Sequence, residues 1–288
     1  MAVENDYAAI GGLKGNVDIY SIASDKVERS LDLEEPVTDA IWSGAKIMFS
    51  TYNAHVKVYE NGSEAQTFAE HAGAVTGLAL HPGGNLLASV GTDKSYVFYD
   101  LTTLTRALRV YTDSCTSTTL LPLTCQMLIR AALTKCAFHP DGHLFATGTQ
   151  DGDIKVFETK TGEQAAVFRL GAPIRSIVFS ENGFWFAATG KGQTTVTIFD
   201  LRKEGDAAKV KELETGDAEA LAWDYTGQYL ATAGATGTTV QQYQKSSKKW
   251  SELLRSSLAG VAVQWGAEAK SLVTVNKDGV LSVLAVKQ

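Results

Sequence analysis

Short apolar stretches recur along this chain at near-constant spacing, and each ends on a bulky residue. The end markers are Tyr20, Tyr59, Tyr99, Phe157, Phe199, Tyr243 and Leu284. Each stands three residues after another apolar one: Val17, Val56, Tyr96, Ile154, Val196, Val240 and Leu281. The intervals between markers are 39, 40, 58, 42, 44 and 41 residues. A period of roughly 40–45 residues predicts a β-propeller with four strands per blade. Seven markers predict seven blades.

The residues around each marker repeat one unit. In HPDGHLFATGTQDGDIKVFE, His139 to Glu158, the first four residues form a turn. Proline presets φ at the second turn position, and glycine accepts positive φ. Leu144–Thr147 is a small, apolar strand, Gln150-Asp151-Gly152 a hairpin turn, and Ile154–Phe157 an alternating, half-buried strand. Copies start at His81 and Ser180, with weaker ones at Asp224 and Trp42. A further strand precedes each turn (Val75–Leu80, Leu133–Phe138, Ile174–Phe179, Ala218–Trp223), and a polar one follows the marker (Glu163–Arg169). These are strands a to d, from the central channel to the rim. Small residues in strand b (Ala88-Ser89, Ala146-Thr147, Ala187-Ala188, Ala231-Thr232) suit the taper toward the axis, and Trp42, Trp185, Trp223 and Trp265 read as core.

The pattern breaks in two places. The interval of 58 holds an excess at 113–131, expected as an insertion between strand d of blade 3 and strand a of blade 4. Leu120–Leu123 and Met127–Ile129 are apolar for a loop; surface docking, partner binding and lack of order all fit. At the ends, blade 1 shows no clear inner strand and blade 7 no outer one. The expectation is one all-β domain over 1–288, with blades at 1–33, 34–71, 72–112, 132–171, 172–215, 216–257 and 258–288, the first and last incomplete. The missing strand is expected upstream of Met1, in a longer parent.

Composition narrows the function classes. The 288 residues are 44% hydrophobic, with net charge −6 and pI near 5.4. That lacks the basic excess of a direct nucleic-acid binder; Lys245, Lys248 and Lys249 read as a solvated loop. No apolar run reaches the roughly 18 residues of a membrane helix, and no signal-peptide pattern opens the chain. Cys115, Cys125 and Cys136 are an odd set without a CxxC, which favours a reducing compartment; Cys136 reads as a small buried side chain.

The unit resembles WD40 repeats. Phe199-Asp200, Tyr99-Asp100, Phe157-Glu158 and Tyr59-Glu60 stand where the family has Trp-Asp. His71 resembles the family's loop histidine, and Asp93, Asp151 and Asp278 its turn aspartate, which Asn53 and Gln193 replace elsewhere. With Tyr99, Phe157 and Phe199 at the tryptophan place the indole N–H is lost, which predicts a weaker polar network.

FHPDGHLFATG (138–148), SIVFSEN (176–182), Asp200-Leu201-Arg202-Lys203 and AVTGLAL (74–80) resemble the pre-mRNA-processing factor nineteen family across essentially the whole chain. Residues 113–131 depart from that family. The resemblance implies a nuclear ubiquitin ligase of a spliceosome-associated complex, with links to DNA repair. Its U-box and oligomer-forming coiled coil have no counterpart in this chain. The propeller would bind substrates and splicing subunits.

The residues bear on three function classes. A protein-binding propeller places its site around the channel mouth, where strand a begins; the candidates are Asp39, Lys135, Arg175 and Glu219. A scaffold or peptide reader outside splicing is the alternative. An enzyme needs a nucleophile, acid cluster or metal set, and HExxH, GxSxG and phosphate loops are absent. His81 and His139 occupy equivalent turns and read as turn residues. No catalytic residue, metal site, cofactor, direct nucleic-acid partner or membrane partner is expected.

Overall fold

The computed structural model describes residues 2–4, 7–112, 131–266 and 271–286. The expected insertion falls, but for Ala131, outside the described residues. The chain forms seven antiparallel sheets, each built from consecutive strands. Blade 1 comprises Ala2–Glu4, Tyr7–Gly11, Asn16–Ser21 and Lys26–Asp32. Blade 2 comprises Val37–Ser43, Lys46–Thr51, Val56–Glu60 and Ser63–Phe68. Blade 3 comprises Val75–Leu80, Leu86–Gly91, Ser95–Asp100 and Thr105–Tyr111. Blade 4 comprises Leu133–Phe138, Leu144–Thr149, Asp153–Glu158 and Gln164–Arg169. Blade 5 comprises Ile174–Phe179, Trp185–Gly190, Thr195–Asp200 and Lys209–Glu214. Blade 6 comprises Ala218–Trp223, Tyr229–Gly234, Gly237–Gln244 and Lys249–Ser256. Among the described residues blade 7 has three strands, Ala262–Trp265, Ser271–Val275 and Leu281–Ala285. The fold is a seven-bladed β-propeller.

Blade 1 differs from expectation, because its inner strand is present. Ala2–Glu4 pairs with Tyr7–Ala9. Three residues are too few to show a period of two, so the strand is silent in the sequence.

Inner strands of successive blades touch one another from blade 1 to blade 7 and so line the axis. The core is divided by seam: six apolar clusters lie between adjacent blades, from blades 1 and 2 to blades 6 and 7. Between blades 7 and 1 lies a groove of about 1000 Å³, lined by Gly12, Leu13, Val37, Val261 and Val280 among others. Tyr99, Phe157 and Phe199 are buried in the seams, while Trp42, Trp185, Trp223 and Trp265 are half-buried along them.

Register corrects one marker. In blades 4 and 5 the residue opposite Phe145 or Phe186 is Phe157 or Phe199. In blade 6 the residue opposite the equivalent Leu230 is Gln241, not Tyr243. A two-residue offset keeps a side chain on the same sheet face, so it is invisible to an alternation pattern. Tyr243 instead packs against Trp185 and Trp250.

The strand a–b turns connect neighbouring blades. Ser43 Oγ donates to the Gly84 carbonyl at 2.9 Å, and His139 Nε2 meets the Gly183 carbonyl at 2.7 Å. The His81 ring lies over Gly142, where a Cβ would stand 2.0 Å from Nε2.

Candidate partner-binding site at the channel mouth

Each inner strand of blades 2 to 6 carries a register shift near its start. A bulge leaves one residue unpaired and re-aims its side chain. The unpaired residues are Thr38, Thr76, Thr134, Arg175 and Glu219; the next positions are Asp39, Gly77, Lys135, Ser176 and Ala220. The four candidates therefore occupy two structural positions. Asp39 and Lys135 share one, and Arg175 and Glu219 share the other.

In blades 2 and 3 the bulged threonine bonds to the following blade, whereas buried Thr134 Oγ1 of blade 4 has no partner. Thr38 Oγ1 donates to the Val75 carbonyl at 2.6 Å, and Thr76 Oγ1 to the Leu133 carbonyl at 2.8 Å. Arg175 and Glu219 replace this hydroxyl link with ionic ones. Arg175 Nη1 lies 3.1 Å from Asp217 and 3.5 Å from Glu219, and Lys277 Nζ lies 3.6 Å from Glu219. Sequence reasoning missed Asp217 and Lys277, which join the site only through its closure.

Lys135 reaches across blade 3. Its Nζ lies 2.8 Å from Asp39 Oδ2, and a Cβ on the intervening Gly77 would stand 3.3 Å from Lys135 Cα and 3.5 Å from its Cδ. Burial opposes charge on both groups, and their mutual attraction outweighs it. The Asp39 carboxyl lies below its ordinary pKa and the Lys135 ammonium above. Burial pushes the neighbouring Cys136 thiol well up, which keeps it unreactive. The mouth thus carries Asp39, Asp217 and Glu219 against Lys135, Arg175 and Lys277. Like numbers of each sign give directional hydrogen-bonding groups with little net field.

The structural candidates separate by blade. In blade 3, His71 Nδ1 meets Asp93 Oδ1 at 3.0 Å and Nε2 meets Ser89 Oγ at 2.7 Å. Ser89 donates to the Tyr99 hydroxyl at 3.3 Å, so the phenol completes a network that the lost indole was expected to weaken. Asp93 also accepts from Ala72 N, Ser95 Oγ and Arg109. Burial raises its pKa, but these donors, His71 first, hold it far below the usual carboxylate range. In blade 4 the equivalents of Ser89 and Tyr99 are Thr147 and Phe157, and buried Thr147 Oγ1 has no partner. Asp151 and Asp278 are exposed in their turns, away from any such network. Blade 2 reverses the roles. Glu35 from the inter-blade loop accepts from His55 of the b–c hairpin at 2.8 Å, a pair the sequence motif hides. Among the described residues no three His, Cys, Asp or Glu could hold a metal ion.

The WD domain, G-beta repeat family matches residues 62–100 and 124–158, which include the Asp93–Tyr99 network. The seven-bladed propeller carries WD40 repeats. Its curated relatives are similar along most of this propeller. "Pre-mRNA-processing factor 19" of Bos taurus is 32% identical over 278 residues, 93% of this chain and 51% of the relative. The protein of that name from Dictyostelium discoideum is 28% identical, over 85% of this chain and 48% of the relative. In Schizosaccharomyces pombe the figures are 28%, 71% and 38%. The propeller chain spans about half the length of the curated relatives it matches. A chain of a solved structure titled "Crystal Structure of Mitotic Checkpoint Complex" superposes with a TM-score of 0.81 over 100% of this chain and 86% of that one. At 15% identity, that likeness shows the fold alone.

Proposed function

We propose that this propeller is the partner-recruiting part of a pre-mRNA-processing factor 19 protein acting in splicing. The similarity over 93% of the chain to a relative of that name carries the reading. In it, ubiquitin-ligase chemistry comes from a U-box and oligomer formation from a coiled coil, both outside the propeller, and the protein works in the nucleus. Substrates and splicing subunits dock at the mouth formed by Asp39, Lys135, Arg175 and Glu219, with Asp217 and Lys277. At the bulge, Arg175 and Glu219 stand where blades 2 to 4 carry threonine, which supports a binding surface there.

The double variant Arg175→Ala, Glu219→Ala tests the site. It removes both members of a cross-blade pair and leaves no lone charge at the bulges. Recovery of splicing subunits from nuclear extract should fall several-fold while the circular dichroism melt is kept. Undiminished recovery would reject the mouth as the docking site. Failure of the wild-type chain to recover any splicing subunit would reject the splicing reading itself.

A further inference from the structure

At the opposite end of the inner strands from the mouth, the seam between blades 1 and 2 is unfilled. A cavity of about 390 Å³ lies between Tyr7, Ile19, Arg29 and Leu31 of blade 1 and Trp42 and Tyr59 of blade 2. In two other seams the chain fills this place with its own leucine. Leu101, 3% exposed, follows Asp100 in the strand c–d connection of blade 3, and joins Met48 and Val58 of blade 2 in one cluster. Leu201 follows Asp200 in blade 5 and packs on the cluster shared with blade 4. The backbone adds a fixed bond: Leu101 N–H donates to the Asn85 carbonyl at 2.8 Å and Leu201 N–H to the Phe184 carbonyl at 2.9 Å. Thr159 N–H and Tyr243 N–H do the same to His143 and Gln228.

Blade 2 lacks all of this. Its c–d connection is the tight turn Asn61-Gly62, with φ of 53° and 85°. No backbone hydrogen bond joins Asn61 N–H to the Ala45 carbonyl, the equivalent acceptor. A Cβ on Gly44, in the adjoining turn, would meet nothing within 4 Å. The Arg29 guanidinium lies over Gly62 at the rim of the cavity, exposed and with no ion pair among the described residues.

We propose that this cavity receives an acidic residue followed by leucine, in an extended segment of a partner protein. The leucine side chain enters between Ile19, Leu31, Trp42 and Tyr59, its N–H donates to the Ala45 carbonyl, and the preceding carboxylate meets Arg29. The propeller's own Leu101 and Leu201 show that this blade geometry seats a leucine beside strand c; the acidic residue is inferred from the charge of Arg29 alone. The proposal is independent of the channel-mouth site.

The test titrates the full chain, labelled with 5-fluorotryptophan, with a capped peptide of the sequence 99–106, YDLTTLTR. The Trp42 fluorine signal is assigned by Trp42→Phe. The expected result is a saturable shift, weakened about tenfold or more by Leu101→Asp in the peptide, since a buried leucine is lost. Arg29→Glu in the protein should weaken the peptide about three-fold, and Asp100→Lys in the peptide should recover that loss. Arg29 is exposed, so the variant tests binding without risk to the fold. Absence of a saturable shift at millimolar peptide, or equal binding of the Leu101→Asp peptide, would overturn the proposal. So would sedimentation of the wild-type chain as a dimer that Arg29→Glu separates, because a second copy would then occupy the cavity.

Discussion

At the scale of the residue, stability rests on buried polar groups being satisfied. Asp93 accepts hydrogen bonds from four residues in a site where its carboxylate is almost wholly covered. Asp93→Ala should cost about 2–4 kcal/mol, since His71, Ser95 and Arg109 lose their acceptor. The depressed Asp93 pKa sets a pH sign. Its contribution is present above the unfolded carboxylate value of about 3.9 and is lost as pH falls through the lower folded value. Urea titrations from pH 6 down should show wild-type stability declining more steeply below pH 4 than that of Asp93→Asn. Blade 4 offers the reverse experiment. Phe157→Tyr places a hydroxyl where Tyr99 has one, within reach of the unpartnered Thr147. A gain of about 0.5–1 kcal/mol in denaturant unfolding is expected. The sequence showed His71, Asp93 and the marker aromatics. It could not show that the Tyr99 phenol joins their network, because that depends on the 3.3 Å to Ser89.

At the scale of the element, turns and bulges connect what the strands alone would leave as separate sheets. Gly142 has φ of 76° and lies beneath the His81 ring. Gly142→Ala strains the backbone and displaces the ring, and should lower stability by about 1–3 kcal/mol in thermal or urea unfolding. The turn glycines were legible from their Pro-x-Gly and x-x-Gly patterns. That one of them supports a histidine from the preceding blade was not, because the two are 61 residues apart and meet only on ring formation. The inner-strand bulges split the four mouth candidates between two structural positions. An extra residue in a strand shifts every later one out of an alternating count. Asp39 and Lys135 form one coupled unit, so the variants Asp39→Ala and Lys135→Ala should each destabilise, and the double variant by less than their sum. A shortfall of about 0.5–2 kcal/mol in a double-mutant cycle is expected for this partly covered pair.

At the scale of the molecule, the described residues hold the ring unevenly. Among them, six seams contain apolar clusters, the seam between blades 7 and 1 is a groove, and blade 7 has three strands. Edge strands with fewer buried contacts open first. Hydrogen exchange read by mass spectrometry should find the Leu281–Ala285 amides exchanging well before those of Ser95–Asp100 or Asp153–Glu158. Equal protection across these strands would contradict the reading.

By itself the sequence determined the class: β-strands by alternation and blade number by period. These are local or periodic properties, written in neighbouring residues. Only the tertiary structure decided the rest. The two-residue offset that replaces Tyr243 by Gln241 conserves alternation, so no pattern reports it. The Asp39–Lys135 and Arg175–Asp217–Glu219–Lys277 contacts and the cavity of about 390 Å³ beside Arg29 arise between blades. They depend on distances between residues remote in sequence, which exist only once the ring has closed around its axis.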